Sequence, residues 1–320
     1  MPSPSINIIG SGSVGHLWAA YLLDKHVNVR LYAKQPKASQ QYTVQSPQRQ
    51  FACKMPHHTL SNWKASEFII VCVKATSLES LCVELKSYLK LQSINLSNTP
   101  VILMMNGLGI IEIAQQYLPE TPIYQASTNH GARLEGLTLR HTGQGDTLIG
   151  NLVENDAETG SEIPITNLIA ALNEALPNVR WNNNHQEALW TKLLINAIIN
   201  PLTTIHKIQN GELLSNQKIN QQAKRLTRQL EPFIQQFLPS QSWQSIFEKV
   251  ELVANQTYTN VSSMRQDILM SRKTEIDFIT GYLLKKAAEK QILLPEHEQI
   301  VNQIKILEKE SKQSQDSVTL

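Results

Sequence analysis

The run Gly10-Ser11-Gly12-Ser13-Val14-Gly15 narrows the folds open to this chain more than any other feature. It follows a short apolar stretch, Ile6–Ile9, and opens an apolar helical pattern from Val14 to about Leu23. Strand, glycine turn and helix in that order make the first half of a βαβ unit. In such a turn Gly10 permits the tight bend, Gly12 lets the backbone approach a pyrophosphate, and Gly15 lets helix and strand pack closely. The first N–H groups of the helix have no intrahelical acceptor, so they are available to phosphate oxygens. With Ser11, Ser13 and Val14 between the glycines, this segment predicts a parallel α/β domain that holds a dinucleotide.

The pattern continues through the first half. Val27–Tyr32, Phe68–Val73 and Val101–Met105 read as strands, and their near-continuous apolar character suits a sheet covered on both faces. Pro122–Ala126 and Thr147–Ile149 read as later strands, with Thr138–His141 in a hairpin. After about Trp181 the strands stop. Helical patterns follow at Gln186–Asn200, Gln217–Phe237, Ser245–Thr257, Thr274–Lys290 and Pro295–Lys309, and the polar tail Glu310–Leu320 is expected to fray. Asn182-Asn183-Asn184 marks a junction. The expectation is a doubly wound α/β domain over residues 1–182 and an all-α domain over 183–320, with a ligand in the cleft between domains, where ligands often bind.

On the first helix after the junction, Lys192, Asn196 and Asn200 are spaced four apart and share one face. Their neighbours Leu193, Leu194, Ile195, Ala197, Ile198 and Ile199 are apolar. Asparagine is a poor helix former, and an ordinary solvated stripe uses Glu, Gln or Lys instead. One ammonium and two carboxamides facing the same way can donate hydrogen bonds to a carbonyl and a carboxylate.

The end of the second strand bears on cofactor choice. An enzyme that uses NAD places Asp or Glu there for the ribose 2′-hydroxyl. This chain reads Leu31-Tyr32-Ala33-Lys34-Gln35-Pro36, with Arg30 and Lys37 nearby. A lysine attracts a 2′-phosphate that a carboxylate would repel, so NADPH is expected over NADH. Lys74 and Asn106 follow the third and fourth strands, at the strand ends where open α/β sheets bind ligands.

Composition excludes other classes. Of 320 residues, 29 are Lys or Arg and 27 are Asp or Glu, so the net charge of +2 gives no electrostatic case for nucleic acid. Cys53, Cys72 and Cys82 lack CxxC spacing, and the nine histidines show no ligand spacing, so no metal is expected. No apolar run approaches a membrane span, and no leader-like segment precedes the first strand. A cytoplasmic protein is the expectation.

The ordered motifs of the chain resemble those of the 2-dehydropantoate 2-reductase (ketopantoate reductase) family. They are Gly10–Gly15, Val73-Lys74-Ala75, Asn106-Gly107-Leu108-Gly109, His130-Gly131-Ala132-Arg133, Leu189-Trp190-Thr191-Lys192, Asn196 and Asn200-Pro201-Leu202-Thr203. Asn210-Gly211-Glu212-Leu213, Ser262-Ser263-Met264 with Asp267, and Thr274-Glu275-Ile276-Asp277 complete the series. The resemblance implies a Rossmann-type domain followed by a helical domain like the C-terminal one of 6-phosphogluconate dehydrogenase. It implies reduction of 2-dehydropantoate to (R)-pantoate by NADPH, in pantothenate and coenzyme A biosynthesis, by a monomer or homodimer whose partner is a small 2-oxo acid.

By the same resemblance Lys192 is the proton donor, and Glu275 lies at the cofactor–substrate junction as a second catalytic group. Asn196, Asn200, Asn210, Asn260 and Ser263 bind substrate. Asn106 lies near both substrate and nicotinamide, and Lys74 and Ala132 contact the cofactor. Lys34 stands where arginine is common, which keeps the charge and loses the bidentate fork. Gly131 replaces a more usual alanine.

Apart from the resemblance, Thr274 and Asp277 have the spacing of a variant capping box with Asp277 structural. His130 reads as a satisfied loop histidine. Two other functions fit the same residues: reduction of another branched 2-oxo acid, and a catalytically idle NADPH-binding relative. The second would be expected to lack Lys192 or Glu275, and both are present. The cofactor loop and Lys192 fall on opposite sides of the junction, so domain closure is expected.

Overall fold

The computed structural model describes residues 4–35, 38–151 and 162–318. Lys37 and Pro36 lie outside them. The chain folds as two compact units, Met1–Met105 with Ile110–His185 and Asn106–Gly109 with Gln186–Leu320.

The strands of the first unit are β1 (Ser5–Ile9), β2 (Asn28–Tyr32), β3 (Gln40–Gln45), β4 (Gln50–Met55), β5 (His57–His58), β6 (Phe68–Val71), β7 (Val101–Leu103), β8 (Ile123–Thr128), β9 (Gly131–Glu135), β10 (Thr138–Gly143), β11 (Thr147–Gly150) and β12 (Val179–Trp181). Its helices are α1 (Ser13–Asp24), α2 (Leu78–Leu91), α3 (Ile110–Tyr117) and α4 (Glu162–Ala175). Eight strands form one sheet in the order β12-β11-β8-β7-β6-β1-β2-β5. All its pairs are parallel except β11 with β8. Every residue of β6 and β7 is buried, which is why those strands lack polar alternation.

A second sheet, β4-β3-β10-β9, is not among the expected elements. It joins two hairpins through a parallel β3–β10 pair. Thr138–His141 does pair in a hairpin, with Gly131–Glu135, but within this second sheet. Helix α1 packs on β1 and β2 and also on β4, β9 and β10. That explains why it is buried on every side from Gly15 to Leu22 rather than along one stripe.

The second unit contains α5 (His185–Ile205), α6 (Glu212–Ser215), α7 (Gln217–Gln229), α8 (Glu231–Phe237), α9 (Trp243–Gln256), α10 (Ser263–Leu269), α11 (Thr280–Glu289) and α12 (Pro295–Val318). Four expectations need correction. Helix α5 does not stop before Pro201 but continues to Ile205. An interior proline costs about 3 kcal/mol. Here the hydroxyl of Thr203 bonds the Ile199 carbonyl at 2.8 Å, that of Thr204 bonds the Asn200 carbonyl at 2.6 Å, and Leu202 is fully buried. Burying one leucine contributes about 1.5–3 kcal/mol, enough to offset most of the penalty.

The Gln217–Phe237 pattern is two helices that break at Leu230, and Pro232 sits in the first turn of the second, where no N–H is needed. Thr274–Lys290 is not one helix either. A 3-10 turn, Ile276–Phe278, precedes α11. Finally, α12 continues to Val318, because the tail contains no Gly or Pro to end it.

Candidate active site

The glycine loop shows which of its glycines the protein itself requires. Gly10 has φ +117, and a Cβ there would lie 2.7 Å from the Cys72 carbonyl carbon. A Cβ on Gly15 would lie 1.9 Å from the Gly10 oxygen. Gly12 differs. Its φ of −83 suits any residue, and a Cβ would meet nothing within 4 Å. Neither strain nor packing within the protein demands glycine at 12, whereas close approach of a phosphate would. The first helical bond runs from His16 N to Gly12 O, and the His16 ring also bonds that carbonyl at 3.0 Å. Ser11 is half-buried, Ser13 accepts a bond from Leu134 N at 3.2 Å through its hydroxyl, and Val14 packs on the core. This loop therefore fits the dinucleotide phosphates.

Lys34 is exposed directly after β2. Arg30 is drawn elsewhere, since its guanidinium donates to the Ala65 carbonyl at 3.2 Å. Lys74 is half-buried at the start of a 3-10 turn after β6, and its carbonyl accepts from Ser77 N at 2.8 Å. Ala132 is half-buried on β9 opposite His141. The unusual Gly131 has a local reason: a Cβ there would come 2.6 Å from the Thr142 hydroxyl.

His130 is not fully satisfied. Its Nδ1 lies 3.3 Å from Gly145 N, a donor, and 3.1 Å from His141 Nε2, while its buried Nε2 has no hydrogen-bond partner among the described residues. Burial and the neighbouring His141 push its pKa down to about 4.

In the second unit, α5 holds Lys192, Asn196 and Asn200 one turn apart, with Leu193, Leu194, Ala197, Ile198 and Ile199 buried between them. Lys192 and Asn196 are half-buried, and Asn200 is 7% exposed. Protein around the Lys192 ammonium makes its charge costly and lowers its pKa, while the Glu275 carboxylate raises it; the balance is about 8. Glu275, 8% exposed, accepts a hydrogen bond from Asn106 Nδ2 at 3.4 Å. Lys192, Glu275 and Asn106 are thus brought together within one unit. Asn106 reaches it because Leu108 N bonds the Phe278 carbonyl at 2.9 Å, and because Gly107, with φ +93, has no room for a Cβ against Phe278.

Asn210 is buried. Its Nδ2 donates to Thr257 at 2.9 Å, its backbone N–H bonds the Asn260 carbonyl at 3.0 Å, and its Oδ1 has no hydrogen-bond partner among the described residues. Asn260 and Ser263 are exposed, and Ser263 begins α10. Ser262 caps that helix and accepts from Thr203 of α5 at 2.8 Å, joining the Asn200 and Ser263 segments. Nothing in the sequence marks Thr203 and Ser262 for this role, since a long-range side-chain bond leaves no local pattern.

The capping box at Thr274 and Asp277 is not formed. The Thr274 side chain bonds Glu308 instead, and Asp277 pairs with Lys305 at 2.8 Å and Lys273 at 3.7 Å. Among the described residues no group of three or more His, Cys, Asp or Glu could hold a metal, and no helix is long and apolar enough to cross a membrane.

Two family models match the chain. That described as ketopantoate reductase PanE/ApbA covers residues 6–154, and that described as its C-terminal part covers 184–308. The chain belongs to the ketopantoate reductase family. It is 31% identical to 2-dehydropantoate 2-reductase of Vibrio cholerae, over 95% of this chain and 98% of that protein. The solved structure of a probable 2-dehydropantoate 2-reductase from Bacillus subtilis superposes with a TM-score of 0.75 at 28% identity, covering 95% of this chain and 99% of that one. D-mandelate dehydrogenase, solved with NADH and anilino(oxo)acetate, shares the fold, with a TM-score of 0.83 at 22% identity over 96% and 99% of the two chains. The ketopantoate reductase fold, a Rossmann-type α/β unit followed by a helical one, is the fold described above.

Proposed function

We propose that this chain reduces 2-dehydropantoate to (R)-pantoate with NADPH, and that Lys192 donates the proton. The Lys192 ammonium in the field of Glu275, on a helix face that also carries Asn196 and Asn200, supports this reading most directly. The reduced nicotinamide, when bound, supplies a hydride to the ketone carbon. Negative charge then develops on the ketone oxygen. Lys192 stabilises it electrostatically and transfers a proton from Nζ, leaving a neutral amine. A pKa near 8 suits that role: the lysine is mostly protonated at neutral pH yet gives up its proton more readily than an exposed lysine.

Asn196, Asn200, Asn210 and Ser263 are neutral, so they orient the substrate carboxylate and hydroxyl without a strong ion pair. An unpaired buried carbonyl costs about 1–3 kcal/mol, and a substrate hydroxyl would relieve that cost at Asn210 Oδ1. Glu275 holds Lys192 charged, and Asn106 orients Glu275. Gly10–Gly15 bind the pyrophosphate, and Lys34 faces the 2′-phosphate. Lys74 and Ala132 line the cofactor.

The test is loss of NADPH absorbance with 2-dehydropantoate and, separately, with 2-oxoisovalerate. Turnover that favours 2-dehydropantoate and collapses in Lys192→Ala supports the reading. Equal or better turnover of 2-oxoisovalerate moves the substrate to another branched 2-oxo acid. NADPH binding with no turnover of either moves the chain to a non-catalytic role.

A further inference from the structure

Glu275 stands in a segment with little regular structure of its own, and something else must fix it. The segment is preceded by the end of α10 and followed by the single 3-10 turn Ile276–Phe278. Thr274 and Ile276 on either side of Glu275 are fully buried. Besides Asn106 and Leu108, residues of α12 hold it. Glu308 Oε1 accepts both the Thr274 backbone N–H, at 2.7 Å, and the Thr274 hydroxyl, at 2.6 Å. The same hydroxyl oxygen accepts the Ile276 N–H at 3.3 Å. One α12 carboxylate oxygen therefore organises the backbone on both sides of Glu275.

Two further contacts repeat along the same face of α12. Lys305, one turn before Glu308, pairs with Asp277 at 2.8 Å. The Ser311 carbonyl, nearly one turn after it, accepts the Ser271 hydroxyl at 2.8 Å. Residues 305, 308 and 311 are spaced three apart, so they line one side of the helix and meet residues 277, 274 and 271 in antiparallel order. The exposed pairs are worth little singly. The Glu308 bonds differ, since they end on a buried N–H and hydroxyl that would otherwise lack acceptors.

We infer that Glu308 is a positioning residue for the active site: through Thr274 it sets where the Glu275 carboxylate lies, and so the environment of Lys192. The inference rests on the reading of Lys192 and Glu275 given above. The charged groups around the clamp are Lys273, Asp277 and Lys305, and Asp267 pairs with Arg272 nearby at 3.1 Å. None of these is needed to make the two Glu308 bonds.

Heteronuclear NMR titration of Lys192 in the full-length chain tests this without depending on turnover, with the Lys192→Met spectrum assigning the signal. Glu275→Gln should lower the Lys192 pKa by about one unit, because it removes the opposing charge. Glu308→Ala should move it in the same direction by a smaller amount. Glu308→Gln should leave it near the wild-type value, because the amide oxygen can accept the same two bonds. Thr274→Val, which deletes only the hydroxyl, serves if Glu308→Ala does not fold, and should also lower it. An unchanged Lys192 pKa in Glu308→Ala or, failing that, in Thr274→Val would overturn the inference and leave Glu308 a purely structural residue. An unchanged pKa in Glu275→Gln would overturn it as well. Absence of 2-dehydropantoate turnover in the wild type would instead count against the proposed reaction, whatever the titration shows.

Discussion

Lys192 and Glu275 act against the burial that surrounds them: enclosure drives the ammonium towards neutrality, and the carboxylate keeps it charged up to about pH 8. The proposed proton donor is competent only while protonated. Reduction should therefore hold its rate below about pH 8 and fall as pH rises through that value. Oxidation of pantoate, which needs the neutral amine, should rise over the same interval. In Glu275→Gln the falling limb should move to lower pH. Initial rates in both directions across pH check this, and a limb that stays in place in Glu275→Gln would refute it.

Lys192→Ala should lower kcat by a factor of about 10²–10⁴, the usual contribution of a positioned acid. KM should change far less, because the carboxamides proposed to bind the substrate are kept. Steady-state kinetics separates the two, and a loss confined to KM would make Lys192 a binding group only.

The glycine loop predicts a dissociation of stability from cofactor binding. Gly15→Ala places a Cβ against the Gly10 carbonyl, so thermal unfolding should occur at a lower temperature. Gly12→Ala meets no protein atom within 4 Å and should unfold like the wild type, yet bind NADPH at least tenfold more weakly. Calorimetry and fluorescence titration of NADPH provide the two readings. Undiminished NADPH affinity in Gly12→Ala would remove the glycine loop from the cofactor site.

Lys34 is exposed at the end of β2, with Arg30 bonded away from it. Lys34→Asp should therefore reduce the preference for NADPH over NADH by about tenfold or more, since it replaces attraction to the 2′-phosphate with repulsion. The ratio of kcat/KM for the two cofactors measures this. An unaltered ratio would place the discrimination elsewhere.

Acid stability should depend on His297, which is fully buried in α12. Its Nδ1 faces Gln229 Oε1 at 3.0 Å, and its Nε2 has no hydrogen-bond partner among the described residues. Burial lowers its pKa from 6.5 to about 4. The folded protein therefore binds fewer protons than the unfolded chain between those values, and stability falls as pH drops through them. The full effect is on the order of 3 kcal/mol. Denaturant unfolding at pH 7 and pH 4.5 should show a smaller acid loss in His297→Gln than in the wild type.

Some elements are plain in the sequence and others are hidden for physical reasons. Apolar runs such as Phe68–Val71, and the glycine turn after β1, are signals carried by neighbouring residues, and the strands and first helix they imply are present. The hairpin of β3 and β4 also has its signal, since Tyr42 and Val44 alternate with polar residues, as do Cys53 and Met55. It escapes notice because a doubly wound pattern does not call for a second sheet. The helix end expected at Pro201 is displaced because side-chain hydrogen bonds and packing override local preference, and the tail stays helical because it contains no Gly or Pro. The bonds of Glu308 to Thr274 and of Thr203 to Ser262 span 34 and 59 residues, and no spacing rule reaches that far.

The segment Asn106–Gly109 belongs with the helical unit although β7 and α3, on either side of it in sequence, belong with the other. The polypeptide thus changes unit three times, and no single cleavage point divides it into two self-sufficient fragments. A fragment beginning at Gln186 would carry Lys192 and Glu275 but lack Asn106 and the Leu108 N–H that Phe278 accepts. Splitting or shuffling such a gene at the obvious junction would discard part of the helical half, so the two units must be inherited and engineered together.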